Sequence, residues 1–309
     1  MTEDSAGSAG DRDEADPTLV VGDPAVVELA LRWAAAEGWR PGRYDAGPFF
    51  AQDPDGFFGL RRGDELVATM SAVRYGEAFG FCGLYVTEPT ERGRGYGTRL
   101  SEIGLRHVDD LPSVGLDGVV EREGLYASLG FVRAHLSRRW SVAVVASLVG
   151  ASLVGAVGAR SGASLVDADD VGVAAVGEYE RRVRAFPGPR EAFLRAWLEM
   201  PETSARVAVG ASGRVLGYGV VRRCVTGAKI APLFADDPDV AADLLDALLV
   251  LGAPWGEVSI DVPDPNELGV AMVQERGMTP AFACVRMYRG ADPGLDLSRV
   301  FGLTSFELG

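Results

Sequence analysis

One run constrains the fold more than any other part of this chain: Leu84-Tyr85-Val86-Thr87-Glu88-Pro89-Thr90-Glu91-Arg92-Gly93-Arg94-Gly95-Tyr96-Gly97-Thr98. The apolar segment Phe79 to Val86 reads as a strand that Pro89 and the glycines stop. From Thr98 to Val108, Leu100, Ile103, Gly104 and Leu105 recur at helical spacing. Glycines between a strand and a helix bare their backbone N–H groups, and the helix N-terminus adds positive potential. The run therefore predicts an anion cradle, to which Arg92 and Arg94 add charge. Two common phosphate loops fail on spacing. A dinucleotide fingerprint needs a glycine where Thr98 stands, and a nucleotide P-loop needs Gly-Lys-Ser/Thr, which the chain lacks.

The pattern that fits is Arg-x-x-Gly-x-Gly at Arg92, Gly95 and Gly97, preceded by Leu84-Tyr85-Val86 and a proline. A second motif follows. Val114 to Gly118 reads as a short strand, and Leu125-Tyr126-Ala127-Ser128-Leu129-Gly130-Phe131 contains Tyr-x-x-x-Gly-Phe. Together these resemble the GNAT N-acetyltransferases. The resemblance implies that backbone N–H groups of Gly93, Arg94, Gly95, Tyr96, Gly97 and Thr98 hold the pyrophosphate of acetyl-CoA. It also implies that Leu84, Tyr85 and Val86 pair with the pantetheine arm, and that Tyr126 protonates the leaving thiolate. One departure is that Val119 stands seven residues before Tyr126, where many of these enzymes carry Asn.

The second half reads as a faded copy of the first. Asp64 to Thr69 resembles Gly213 to Tyr218, Gly83 to Val86 resembles Pro232 to Ala235, and a helix follows each, the second at Val240 to Leu251. Gly115-Leu116-Asp117 resembles Ser259-Ile260-Asp261, and Leu129-Gly130-Phe131 resembles Arg276-Gly277-Met278. The cradle does not repeat. Asp236-Asp237-Pro238-Asp239 puts three carboxylates where a pyrophosphate would sit, and Val273 replaces the tyrosine, so the second unit is expected to bind no acetyl-CoA. This layout resembles a bacterial tandem branch of GNAT proteins. Its carriers include Trp33 to Gly42 with Asp45, Asp53 to Phe57, Pro189-Arg190, Trp197, Ala231 to Asp236 and Asn266. The implied fold class is α/β (an α+β mixed sheet): two GNAT-like domains in tandem, each a twisted mixed β-sheet flanked by helices. The boundaries read as 1–17, a disordered acidic tail; 18–141, the catalytic domain; 142–163, a strand and linker; and 164–309, the degenerate domain.

Composition sets the remaining limits. Of the net charge of −14, residues 1–17 contribute −5 through six acids and one arginine, and the rest still offers no basic face for a nucleic acid. Cys82, Cys224 and Cys284 are far apart, and only His107 and His135 supply imidazoles, so no metal site is expected. The uncharged stretch Ser141 to Ala159 is rich in Ala, Ser, Val and Gly and repeats Ala-Ser-Leu-Val-Gly. It reads as a strand running into a linker, with no membrane association. No signal-peptide pattern opens the chain, and a cytoplasmic protein is expected. A homodimer is compatible with all of this.

Amide formation from a thioester needs a neutral amine, hence a base. Glu77, before the pantetheine strand, and Asp117, on the next one, are the leading candidates. Glu121, Glu123 and His107 are further ones, and Arg190 is a candidate for an acceptor carboxylate. The expectation is an acetyl-CoA-dependent N-acetyltransferase whose acceptor, a small amine or amino acid derivative, attacks directly in a ternary complex. The alternatives are an aminoacyl-tRNA-dependent ligase and a non-catalytic acyl-CoA-binding module.

Overall fold

The computed structural model describes residues 16–143 and 160–309. The acidic tail up to residue 15, and all but the first three residues of the 141–159 stretch, lie outside the described residues.

The first unit runs β1 (Thr18–Val21), α1 (Pro24–Ala36), α2 (Ala46–Gln52), β2 (Phe57–Arg62), β3 (Glu65–Tyr75), β4 (Phe79–Thr87), α3 (Tyr96–His107), β5 (Ser113–Val119), α4 (Glu123–Ser128) and β6 (Val132–Ala143). The second runs β7 (Ser164–Asp167), α5 (Ala168–Val171), α6 (Val173–Val183), α7 (Glu191–Leu198), β8 (Thr203–Val209), β9 (Val215–Arg223), β10 (Ala228–Ala235), α8 (Pro238–Gly252), β11 (Glu257–Pro263), α9 (Glu267–Glu275), β12 (Thr279–Gly290) and β13 (Val300–Gly302). Local chemistry sets the helix starts. Asp23 caps α1 by accepting from the Ala25 N–H, and Pro24 fills the first turn, where its missing N–H costs nothing. Val26, Val27, Ala30, Leu31 and Ala34 then bury one face of that helix.

Among the described residues the strands form one mixed sheet ordered β1-β2-β3-β4-β5-β12-β6-β11-β10-β9-β8-β7, with β13 paired to β10. The middle of that order is the main finding about the fold. Strand β12 of the second unit sits between β5 and β6 of the first, and β6 pairs with β11 of the second. Each unit gives its last long strand to the other's side of the sheet. The sequence boundaries 18–141 and 164–309 therefore do not enclose separate bodies, because backbone ladders cross between them.

Packing reinforces the seam. On one face a single core spans both units, from α1 and α2 to α6 and α7. There Phe49 lies 6.2 Å from Trp197 and 6.5 Å from Phe193, ring centre to ring centre. The other face holds one core under α3 and a separate one under α8 and α9. Three buried bidentate pairs also join the units. Arg139 donates to Asp261 at 2.7 and 2.9 Å, Arg222 to Asp45 at 2.7 and 2.9 Å, and Arg286 to Asp117 at 2.7 and 2.6 Å.

Candidate functional site

Strands β4 and β5 pair in parallel only from Gly80–Cys82 to Val114–Leu116. Beyond that point β4 carries an irregularity. Its register against β3 shifts, and Leu84 takes φ +46°, a left-handed conformation that a branched side chain rarely adopts. The Thr69 hydroxyl donates to the Leu84 carbonyl at 3.1 Å and helps hold this backbone. The two strands have no further pairing there, and a cavity of about 800 Å³, counting its mouth, opens beside them.

Helix α3 begins at one end of this opening. Its N-cap is Gly95 at φ +81°, no side chain caps the helix, and Gly93 also has a left-handed φ of +82°. A Cβ placed on either glycine would meet nothing within 4 Å, so no protein atom crowds the loop at Gly93 and Gly95, while one on Gly97 would fall 2.4 Å from the Tyr85 hydroxyl. That geometry fits a diphosphate. The equivalent helix of the second unit is already closed, because the Asp237 carboxylate accepts from the Val240 N–H at 3.0 Å. Arg299 engages the neighbouring Asp236 at 2.7 Å. Charge near the first cradle is less free than the sequence implied. Arg92 pairs with Glu37 at 2.6 Å, an exposed pair that contributes little, whereas Arg94 reaches the buried Glu91 at 3.3 Å, which Arg62 also engages.

Tyr85, Ser101 and Leu105 line the cavity on the α3 side. Tyr126 lines it from α4, and burial together with Cys284 pushes its hydroxyl up to about 12. The phenol therefore stays protonated at neutral pH and is equipped to donate. Its ring lies over Gly118, where an added Cβ would fall 2.1 Å from Tyr126 Cε2. Val119, in the place of the expected Asn, lines the same cavity.

The candidate bases fare differently. Asp117 lines the cavity, but both its oxygens accept from Arg286, so it is committed to the seam and is not a free base. Burial pushes its carboxyl up while the guanidinium opposes that. Glu77 sits exposed in the β3–β4 turn and does not line the cavity. Glu121 is exposed, Glu123 pairs with Arg133 at 3.1 Å, and His107 contacts Asp53 at 3.0 Å at the C-terminal end of α3, outside the cavity. Arg190 is buried, donates to Glu180 and to the Thr304 hydroxyl, and lies outside the cavity.

Four lining residues from the second unit were not anticipated: Phe282 and Cys284 on β12, and Phe306 and Glu307 beyond β13. Glu307 is 3% exposed, and neither carboxylate oxygen has a hydrogen-bond partner. Its own carbonyl oxygen lies where a Cβ on Gly83 would meet it at 2.0 Å, so Gly83 makes room for this segment against β4. The only sequence signal was one carboxylate within Leu303-Thr304-Ser305-Phe306-Glu307-Leu308, and nothing local shows what it faces.

Comparison with known proteins agrees with this geometry. Residues 25–131 match the acetyltransferase (GNAT) family, and residues 179–302 match an acetyltransferase (GNAT) domain. The chain is 32% identical over 294 residues to holothin acyltransferase of Pseudoalteromonas sp. (strain SANK 73390), with 93% of each covered. Its fold is similar to that of a candidate acetyltransferase from Pyrococcus horikoshii, with a TM-score of 0.74, 20% identity and coverage of 99% of this chain and 100% of that one. It is also similar to a tandem GNAT protein from the clavulanic acid biosynthesis pathway, with a TM-score of 0.60, 18% identity and coverage of 90% and 99%.

Proposed function

The chain belongs to the GNAT acyltransferase family, and from that premise we propose that it is a cytoplasmic acetyl-CoA-dependent N-acetyltransferase whose partner is a small-molecule amine. The observation that carries this reading is the uncapped N-terminus of α3, preceded by two left-handed glycines, beside a cavity lined by the protonated Tyr126. The backbone N–H groups at Gly93 to Thr98 would hold the diphosphate, since nothing but open space stands before Gly93 and Gly95. The unpaired edge at Gly83 to Val86 would receive the pantetheine arm by strand-like pairing. Amine nitrogen then attacks the thioester carbonyl, and Tyr126 gives its proton to the departing thiolate. The relative named as a holothin acyltransferase supports acyl transfer by this chain as well. The closed N-terminus of α8 supports one donor site per chain.

Isothermal calorimetry with acetyl-CoA tests this directly. One site per chain is expected, lost in Gly95→Glu, which strains a left-handed position and sets a carboxylate in front of the cradle. A wild-type protein that binds no acetyl-CoA would refute the donor assignment. No helix among the described residues is long and apolar enough to cross a membrane.

A further inference from the structure

Among the described residues, Glu307 is the cavity-lining carboxylate whose oxygens have no hydrogen-bond partner. Asp117, the other, is taken by Arg286. A buried carboxylate without donors is costly, and such groups are normally satisfied by a bonded partner, a ligand or water. Its position is fixed. The Glu307 and Leu308 N–H groups both donate to the Ser305 hydroxyl, at 3.1 and 2.8 Å, and the Tyr75 hydroxyl donates to the Leu308 carbonyl at 2.8 Å. Three cations behind this wall, Arg139, Arg222 and Lys229, lie within electrostatic reach of Glu307, but none hydrogen-bonds it or lines the cavity. Arg139 is bonded to Asp261 and to the Trp39 carbonyl, and Arg222 is bonded to Asp45. Lys229 is buried 3.7 Å from Asp261, its ammonium makes no hydrogen bond among the described residues, and it does not line the cavity.

The rest of the same wall is aromatic. Trp39, Phe282 and Phe306 line it opposite the α3 side, and the two phenylalanine rings stand 6.1 Å apart. The Arg139 guanidinium stacks behind both rings, 5.6 and 5.3 Å from their centres. Among the described residues, no Lys, Arg or His lines the cavity. A ligand carboxylate there would lose its water, touch no cation on the lining and face Glu307. An ammonium would gain a carboxylate and flanking aromatic faces.

We infer that Glu307 receives the acceptor's ammonium group and takes its proton, and that the acceptor is a flat, apolar primary amine that carries no carboxylate. This rests on the acetyltransferase reading above. In the step, R–NH3⁺ gives one proton to the Glu307 carboxylate. The free nitrogen forms a C–N bond to the thioester carbonyl, the C–S bond breaks, and the thiolate takes the Tyr126 proton. The nitrogen's second proton returns to Tyr126 through water, and Glu307 releases its proton to solvent. An amide, a thiol and one proton result from an ammonium and a thioester.

The test compares ligands that share a ring. Tryptamine is set against tryptophan, and benzylamine against phenylglycine, as acceptors with saturating acetyl-CoA. Tryptophol, which has a hydroxyl in place of the amine, is set against tryptamine in direct binding. Each amine is expected to exceed its amino acid at least tenfold in kcat/KM, and tryptamine to bind at least tenfold tighter than tryptophol. Glu307→Gln should lower kcat/KM for the amines on the order of 100-fold, the range of general-base catalysis, with acetyl-CoA affinity unchanged and Glu307→Asp retaining part of the rate. Equal use of amines and amino acids, no reaction with any amine, or a fully active Glu307→Gln would overturn the inference while bound acetyl-CoA leaves the donor reading standing. Failure of acetyl-CoA to bind would instead remove the donor reading. The tryptamine–tryptophol comparison uses the unaltered protein, so equal binding overturns the inference even if the Gln variant does not fold.

Discussion

The acid role proposed for Tyr126 requires a held ring, and Gly118 is what leaves room for it. Tyr126→Phe is expected to reduce kcat with little change in acetyl-CoA affinity, as steady-state kinetics and calorimetry together would show. Gly118→Ala should do the same by displacing the ring, and an unchanged kcat would mean that the ring's position is immaterial. His135 gives a pH prediction. It lies opposite Arg286 across the β6–β12 ladder, and burial, with Arg286 adding to it, pushes its imidazole down to about 4 from an ordinary 6.5. The folded state refuses a proton that the unfolded state accepts. Stability is therefore complete above pH 6.5 and is lost as pH falls through 4, by up to roughly 3 kcal/mol. Urea titrations at pH 7 and pH 5 should show that loss, and His135→Gln should shrink it.

Among elements, α3 and α8 share a place in their units and differ in one device. The first starts on a bare glycine and the second on a carboxylate that satisfies its own N–H groups. The missing glycines and added carboxylates of the second loop are legible in the sequence because they are local, whereas the Asp237 cap is a finding of the structure. Helix α7 owes its position to distant packing. Trp197 is fully buried, stacks on Phe49 of α2, and donates its indole N–H to the Ala231 carbonyl at 3.0 Å. Trp197→Ala should cost roughly 3–5 kcal/mol, because it empties a site that α2 and α7 share. Equilibrium denaturation would measure this, and a loss below 1 kcal/mol would mean that the helices collapse into the space.

For the whole molecule, the exchanged strands make each half depend on the other. A chain cut within 144–159 should give two pieces that fold only when mixed, read by circular dichroism of each piece and of the mixture. A folded, monomeric first piece would contradict the shared ladder. The buried cross-unit pairs set how the halves dock. Asp45→Asn leaves Arg222 charged and buried without its carboxylate, a loss of roughly 3–5 kcal/mol. The cavity inherits this dependence, since four of its lining residues arrive from the second unit.

The sequence by itself determined the elements, the glycine loop before an uncapped helix, the faded second copy and the tyrosine at the cavity. Each of these is written in residues a few positions apart, through periodicity, glycine conformation and capping. It could not determine which carboxylate is free. Asp117 reads as an open base until Arg286, 169 residues away, takes both its oxygens, and Glu307 reads as a stray charge until the fold lays it against β4. Whether a carboxylate is paired depends on which strands are neighbours in the sheet. Here the exchange of β6 and β12 decided that, through contacts between residues the chain keeps far apart.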